Sequence, residues 1–222
     1  MDLFPLYNSL RISLLSTFFT FFLGIFAAYE IKKLRPIAKG FLDVLLTLPL
    51  VLPPTVVGFF LLKWLGPNSG IGKFFEGMNV SLIMRWYSSI FATIVVTFPL
   101  MYRTARGAFE AFDSNLKYAG QTLGKNNTWI FWKIIMPNCK KEILAGVILS
   151  FARALGEYGA TSMVSGYIPN RTATISTTVY QLWRIGEDSL AYQWVLINVG
   201  ISFFVLLAIN LLESKGAKNA RV

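Results

Sequence analysis

"ILAGVILSFARALGEYGATSMVSGYI", residues 143–168, is the stretch on which the fold turns. It is long enough to cross a bilayer, whose ~30 Å hydrocarbon core takes about 20 helical residues. Yet it carries two charges, Arg153 and Glu157. Four residues apart, they share a helix face, and at 1.5 Å per residue Arg153 lies about 15 Å from Ile143, near the middle of such a span. Exposing either charge to lipid costs at least ~2.5 kcal/mol, so both must face protein or water. Gly146, Ser150, Arg153, Glu157 and Thr161 recur at steps of four, three, four and four. They trace a small-to-polar stripe pointing into a bundle or across a symmetry axis. The stripe reads either as an ion pair that fixes packing or as the lining or gate of a route. Glu157 offsets the arginine charge, so the pair alone implies no anion selectivity.

Comparable apolar blocks lie at about 9–31, 41–65, 82–102 and 194–212, which makes five membrane-spanning helices the expectation. The chain is 55% hydrophobic and 14% charged, far greasier than a soluble domain. The first block lacks a basic leader and is followed by "EIKKLRP" rather than a small-residue cleavage site, so it is expected to remain in the mature protein. A lone cysteine, Cys139, excludes an internal disulfide. With no histidine, the commonest metal ligand and proton shuttle is missing, so neither metal catalysis nor thiol redox chemistry is expected.

The net charge of +10 would suit a nucleic-acid binder, but its placement does not. Lys32, Lys33, Arg35 and Lys39 lie between the first and second blocks. Arg103, Arg106, Lys117, Lys125, Lys133, Lys140 and Lys141 lie between the third and fourth, and Lys215, Lys218 and Arg221 follow the fifth. The two intervening loops hold only Lys73, Arg171 and Arg184. By the positive-inside rule the N-terminus is expected outside and the C-terminus in the cytoplasm.

Each block carries small or hydroxylated residues at helical spacing, such as Ser13, Thr17, Thr20, Gly24 and Ala27 or Ser89, Thr93 and Thr97, which let helices approach closely in lipid. The second block reads "LPLVLPPTVVGFFLL" at 48–62 and puts Pro49, Pro53 and Pro54 at membrane depth. Each proline removes a backbone donor and bends a helix. Irregular backbone there is tolerated only within a bundle or along a wet cavity. Pro53, Pro54 and Thr55, with Ser150, Arg153 and Glu157, are therefore candidates for a translocation path or gate.

The long polar loop, residues 103–141, contains "NLKYAGQTLG", a short helix closed by Gly124, since glycine takes the left-handed conformation that ends helices. A second short helix is expected to start with Asn127 or Thr128 as its cap and to run to Pro137. Trp129, Ile130, Phe131, Trp132, Ile134 and Ile135 cover nearly all its sides, which is too apolar for a solvated loop, so it should lie on the bundle or the membrane surface. The first helix, with Ala119, Gly120 and Leu123, suits docking in a partner's groove or lying free at the interface.

The step "A-G-x-x-L-G" at 119–124, followed by Ile134 and Pro137, resembles the cytoplasmic coupling loop of ABC-importer permeases. Lys117 stands where that family usually has a glutamate, and Gly120 replaces its second alanine. More narrowly, "LPLVLPPTVVGFFLL", "FPLMYRTARGAFE" at 98–110, "FARALGEYGAT" at 151–161 and "IPNRTATI" at 168–175 look like the permease subunit of molybdate transporters. Sulfate permeases are similar around "FARALGEYG".

The resemblance implies an all-α type I importer bundle working as a homodimer in the cytoplasmic membrane. It further implies two ATP-binding subunits, docked through Lys117, Ala119, Gly120, Leu123, Gly124 and Pro137, and an extracytoplasmic protein that delivers a tetrahedral oxyanion, molybdate or tungstate. There is no G-x-x-x-x-G-K-[ST] phosphate loop, so ATP and its magnesium are expected on the partner and no cofactor on this chain. A secondary transporter that needs no ATPase is the rival. The single clearly intramembrane carboxylate and the lack of an obvious internal repeat weaken it.

Overall fold

A computed structural model describes residues 2–218, with side chains through residue 207. The side chains of Lys215 and Lys218, and the whole of Arg221, lie outside it. In chain order the helices are α1 (Phe4–Ile31), α2 (Pro36–Val51), α3 (Pro54–Leu65), α4 (Gly70–Gly77), α5 (Trp86–Ala111), α6 (Ser114–Thr122) and α7 (Asn127–Ile130), followed by a π turn over Phe131–Ile135. The order continues with α8 (Met136–Asn138), α9 (Lys140–Leu155), α10 (Gly159–Val164), α11 (Ile175–Arg184) and α12 (Asp188–Lys218). No strand occurs among the described residues.

Among the described residues, two helices are each long and apolar enough to cross a membrane: α1, and α12 over Asp188–Leu207. The second apolar block is not one straight span, because α2 and α3 meet at 109°. The residue before a proline is pushed out of the helical region. Leu52 and Pro53, each followed by a proline, accordingly have ψ of 142° and 135°. Pro54 then opens α3, where a missing N–H costs nothing. The fourth block also departs from expectation. Its helix ends at Leu155, and α10 begins only at Gly159, so the stripe from Gly146 to Thr161 runs over two helices.

α5 is the central strut and packs against α1, α9, α2, α10 and α3. Small residues set its spacing: a β-carbon on Gly24 of α1 would stand 2.8 Å from Met101 Cγ, and one on Gly146 of α9 would stand 3.0 Å from Thr104 Cβ. One buried apolar cluster joins Ile25, Ile31, Met101, Phe109, Ile130 and Ile143. A second joins Val57, Ala92, Val96, Ala160 and Val164. A buried hydroxyl seam also runs between α1 and α5, where Thr20 and Thr97 pair at 3.2 Å and Ser16 donates to the Ile90 carbonyl at 3.4 Å. Ser89 donates to Ser165 at 2.7 Å. The hydroxyl spacing in the sequence is thus an interhelical contact.

The two ends of the bundle are distinct. At one, Asn8 donates to the Ala173 carbonyl (2.9 Å) and Ser9 Oγ accepts from the Ile175 amide (2.8 Å), so residues 168–175 fold over the start of α1. At the other, the end of α1 meets Phe109, Ile130 and Ile135. Among the described residues α2 has none fully buried, and only 11% of the apolar window of α12 is inside the bundle.

Candidate functional site

The two broken spans meet at their breaks. A β-carbon on Gly159 would stand 2.9 Å from Pro54 Cβ and 3.1 Å from the Thr55 amide nitrogen, and one on Gly58 would stand 2.8 Å from Ala160 Cα. The starts of α3 and α10 therefore touch through backbone, which only glycine at these two positions allows. Just before this crossing lies Glu157. Its Oε1 accepts the Ala160 amide at 2.8 Å, and its Oε2 is 2.6 Å from Arg153 Nη1. The carboxylate is buried, whereas a third of the arginine side chain is exposed. The cation, not the anion, is the member that reaches the surface of the chain.

The remaining path candidates divide. Pro54 packs against Gly159, while Pro53 and Thr55 are exposed beside it. Ser150 is fully buried, with no hydrogen-bond partner for its hydroxyl, one turn of α9 before Arg153 and away from the crossing. The break thus gathers Pro53, Pro54, Thr55, Arg153 and Glu157 and leaves Ser150 in the helix-packing seam.

The loop 103–141 builds a second surface. Asp113, which the sequence reading passed over, caps α6 by accepting the Asn115 amide at 2.9 Å. At the far end Gly124 has φ of +72°. The Lys125 amide bonds to the Gly120 carbonyl (3.1 Å) and the Gly124 amide to the Gln121 carbonyl (2.9 Å), the paired bonds that close a helix on a left-handed glycine. Gly120 is buried against Ile130 and Ile134, where a side chain would not fit without movement. Leu123, 77% exposed, stands on the open side with Ala119, Tyr118 and Leu116. Lys117, three residues before buried Gly120, faces a groove beside α1 rather than that open side.

The second short helix begins one residue earlier than expected. Asn126 is the cap and accepts the Trp129 amide at 2.7 Å. Nor does Pro137 end the helical run, which continues through α8 to Asn138. A proline ring crowds the carbonyl four residues back, here Lys133, and that residue lies in the widened π turn. The apolar residues fall on the bundle as anticipated: Ile130 and Ile135 are core, and Phe131 rests on Tyr29 at 4.7 Å, while Trp129 and Trp132 stay exposed and Pro137 lies on the surface.

A charged cluster tying α2 to α5 was also missed. Arg106 pairs with Asp43 and, at 3.0 Å, with Glu110; Lys39 pairs with Glu110, and Tyr102 donates to Asp43 at 2.8 Å. The hydrogen bond from Lys39 holds the Glu110 carboxyl below its ordinary value. Asp43 sits near the start of the second apolar block, as Glu157 sits within the fourth. The Tyr102–Arg106–Glu110 spacing on one face of α5 was the legible signal.

Similarity to known proteins agrees with this architecture. Residues 20–215 match the family described as "Binding-protein-dependent transport system inner membrane component". The chain is 37% identical over 206 residues to the putative molybdenum transport system permease YvgM of Bacillus subtilis, covering 92% of this chain and 91% of that one. It is 36% identical to the molybdenum transport system permease ModB of Escherichia coli K12, with 90% and 88% covered. Against the sulfate transport system permease CysW of Synechococcus elongatus it is 32% identical, with 90% and 70% covered. Among solved structures it is similar to a chain of the inward-facing MetNI methionine ABC transporter, with TM-score 0.73, 14% identity, and 95% and 94% covered. It is likewise similar to a chain of a bacterial alginate ABC transporter complexed with its pentasaccharide-bound periplasmic protein, with TM-score 0.76, 18% identity, and 96% and 78% covered.

Proposed function

From the premise that the chain belongs to the binding-protein-dependent transport system inner membrane components, we propose that it is the translocation subunit of an ATP-driven importer of molybdate or tungstate. It is a membrane-spanning permease with the type I importer fold. The oxyanion reading is supported by likeness over nine-tenths of the chain to permeases named for molybdenum, at higher identity than to the sulfate permease. Sulfate is the second reading.

The observation that carries the ATPase coupling is α6, which is held to the bundle by Gly120 and turns Leu123 outward. Two copies of this chain form the permease, and α6 of each docks in one ATP-binding subunit. ATP and magnesium are bound there and not here. The positive-inside rule, applied to the basic loops, supports α6 in the cytoplasm and the N-terminus outside. ATP binding brings the two α6 helices together and shifts a two-state bundle from inward-open to outward-open, by the difference in partner affinity between the states. The crossing of α3 and α10 is the gate. A binding protein delivers the oxyanion to the outer surface formed by residues 66–79 and 166–192.

Proteoliposomes holding this chain, its ATPase and its binding protein test the reading. ATP hydrolysis should rise with molybdate or tungstate. Stimulation by sulfate alone would move the chain to the sulfate permeases, and failure of any ATPase to associate would refute the coupling.

A further inference from the structure

Beside the loop-side half of α1 lies a cavity of about 850 Å³, open on one side. Phe21, Phe22, Ile25 and Phe26 line one end, and Tyr29, Glu30 and Lys33 follow along the same helix. The facing wall comes from the loop: Lys117, Asn127, Thr128, Phe131 and Trp132. Polarity therefore changes once along the groove, from wholly apolar to charged. Phe21 to Lys33 spans about 18 Å of helix, close to half of a ~30 Å hydrocarbon core.

We propose that this groove is a binding site for an anionic phospholipid of the leaflet on the coupling-loop side. Its length along α1 matches one leaflet, whereas a partner's transmembrane helix would cross both. The charge at its mouth is complementary to a phosphate. Lys117 forms no ion pair among the described residues. Lys33 shares Glu30 at 2.6 Å and lies over the Tyr29 ring at 4.2 Å, leaving two cations against one carboxylate. Asn127 and Thr128 line the same cavity, as does Trp132, 54% exposed, whose indole is a side chain that favours the headgroup boundary. Acyl chains take the phenylalanine trough. The same lipid touches α1 and both short helices of the loop, so its headgroup bridges the membrane to the segment that carries α6. The site requires the membrane-embedded chain but not the oxyanion reading, and its test involves no transport.

The full-length chain, purified in a neutral detergent, is titrated with dioleoyl phosphatidylglycerol and separately with dioleoyl phosphatidylcholine. Lipid retained per chain is counted by native mass spectrometry. Phosphatidylglycerol should be held in preference, and Lys33→Gln with Lys117→Gln should reduce that preference about ten-fold or more. Equal retention of both lipids by the wild type would overturn the proposal, as would a preference the double variant keeps. A change in dimer fraction without a change in lipid count would also overturn it, by assigning the groove to a second copy. Phosphatidylglycerol with brominated chains supplies a measurement independent of how the charge variants fold. It should quench tryptophan fluorescence, and Trp132→Phe should remove part of that quenching; an unaltered quench would place the lipid elsewhere.

Discussion

Arg153 Nη1 lies 2.6 Å from Glu157 Oε2, and the other oxygen of that carboxylate accepts the Ala160 amide, so one ion pair fastens the end of α9 to the start of α10. Removing the arginine leaves a buried carboxylate without its cation. Arg153→Met should therefore destabilise the chain by about 3–5 kcal/mol, as such broken pairs do. Glu157→Gln keeps an oxygen for the Ala160 amide and should cost less. Thermal unfolding in detergent would rank the two, and equal stability of Arg153→Met and wild type would contradict this account.

The contact of α3 with α10 leaves no room at Gly159. Its β-carbon would meet Pro54 and the backbone of Thr55, neither of which is a flexible side-chain end. Gly159→Ala should lower stability by about 1–3 kcal/mol through overpacking. Gly156→Ala, three residues earlier, meets only the Ala152 carbonyl at 3.9 Å and serves as the tolerated control.

The proposed docking role of Leu123 can be tested apart from folding. At 77% exposure its truncation to alanine should change stability by no more than about 0.5 kcal/mol. It should nevertheless lower the amount of ATPase that co-purifies with the chain, and so uncouple hydrolysis from uptake. Gly124→Val instead strains a residue at φ +72°, where a β-carbon costs roughly 1–2 kcal/mol. Wild-type uptake in both variants would refute the docking role of α6.

Glu110 predicts a pH dependence. Its folded-state carboxyl is held below the ordinary 4.5, chiefly by the bond from Lys39, so its contribution to stability is present above that value. The contribution is lost as pH falls through the lowered one. The tie between α2 and α5 should thus survive mild acid and loosen only below the ordinary carboxylate range. Amide exchange of α2 against pH would show this, with Glu110→Gln removing the part that Glu110 contributes.

What the sequence disclosed and what it concealed follow from the range of the forces involved. The left-handed Gly124 and the apolar cover of residues 129–135 were readable because they depend on local conformation and composition. Arg153 and Glu157 were readable as a pair because four-residue spacing survives the turn at Gly156. Hidden was the break itself: a step of four looks the same on a continuous helix as on α9 followed by a bend. Pro49, Pro53 and Pro54 announced irregularity but not the 109° angle, which depends on Gly58 and Gly159 admitting backbone contact between segments about a hundred residues apart. Asp43 was missed because its partners, Tyr102 and Arg106, are distant in the chain and only packing brings them to it.

Cys139, the chain's one cysteine, is 3% exposed, its thiol donates to the Ala108 carbonyl at 3.5 Å, and burial pushes its pKa up. Alkylating reagents act on the thiolate, so this sulfur is shielded twice. The natural protein is thus already a near-silent background for labelling. A cysteine placed at Val51, 82% exposed and away from α6, would carry a spin label or fluorophore without first deleting the native residue. Distances across the proposed dimer could then be followed with and without nucleotide on the proposed partner, in a chain altered only at the labelled position.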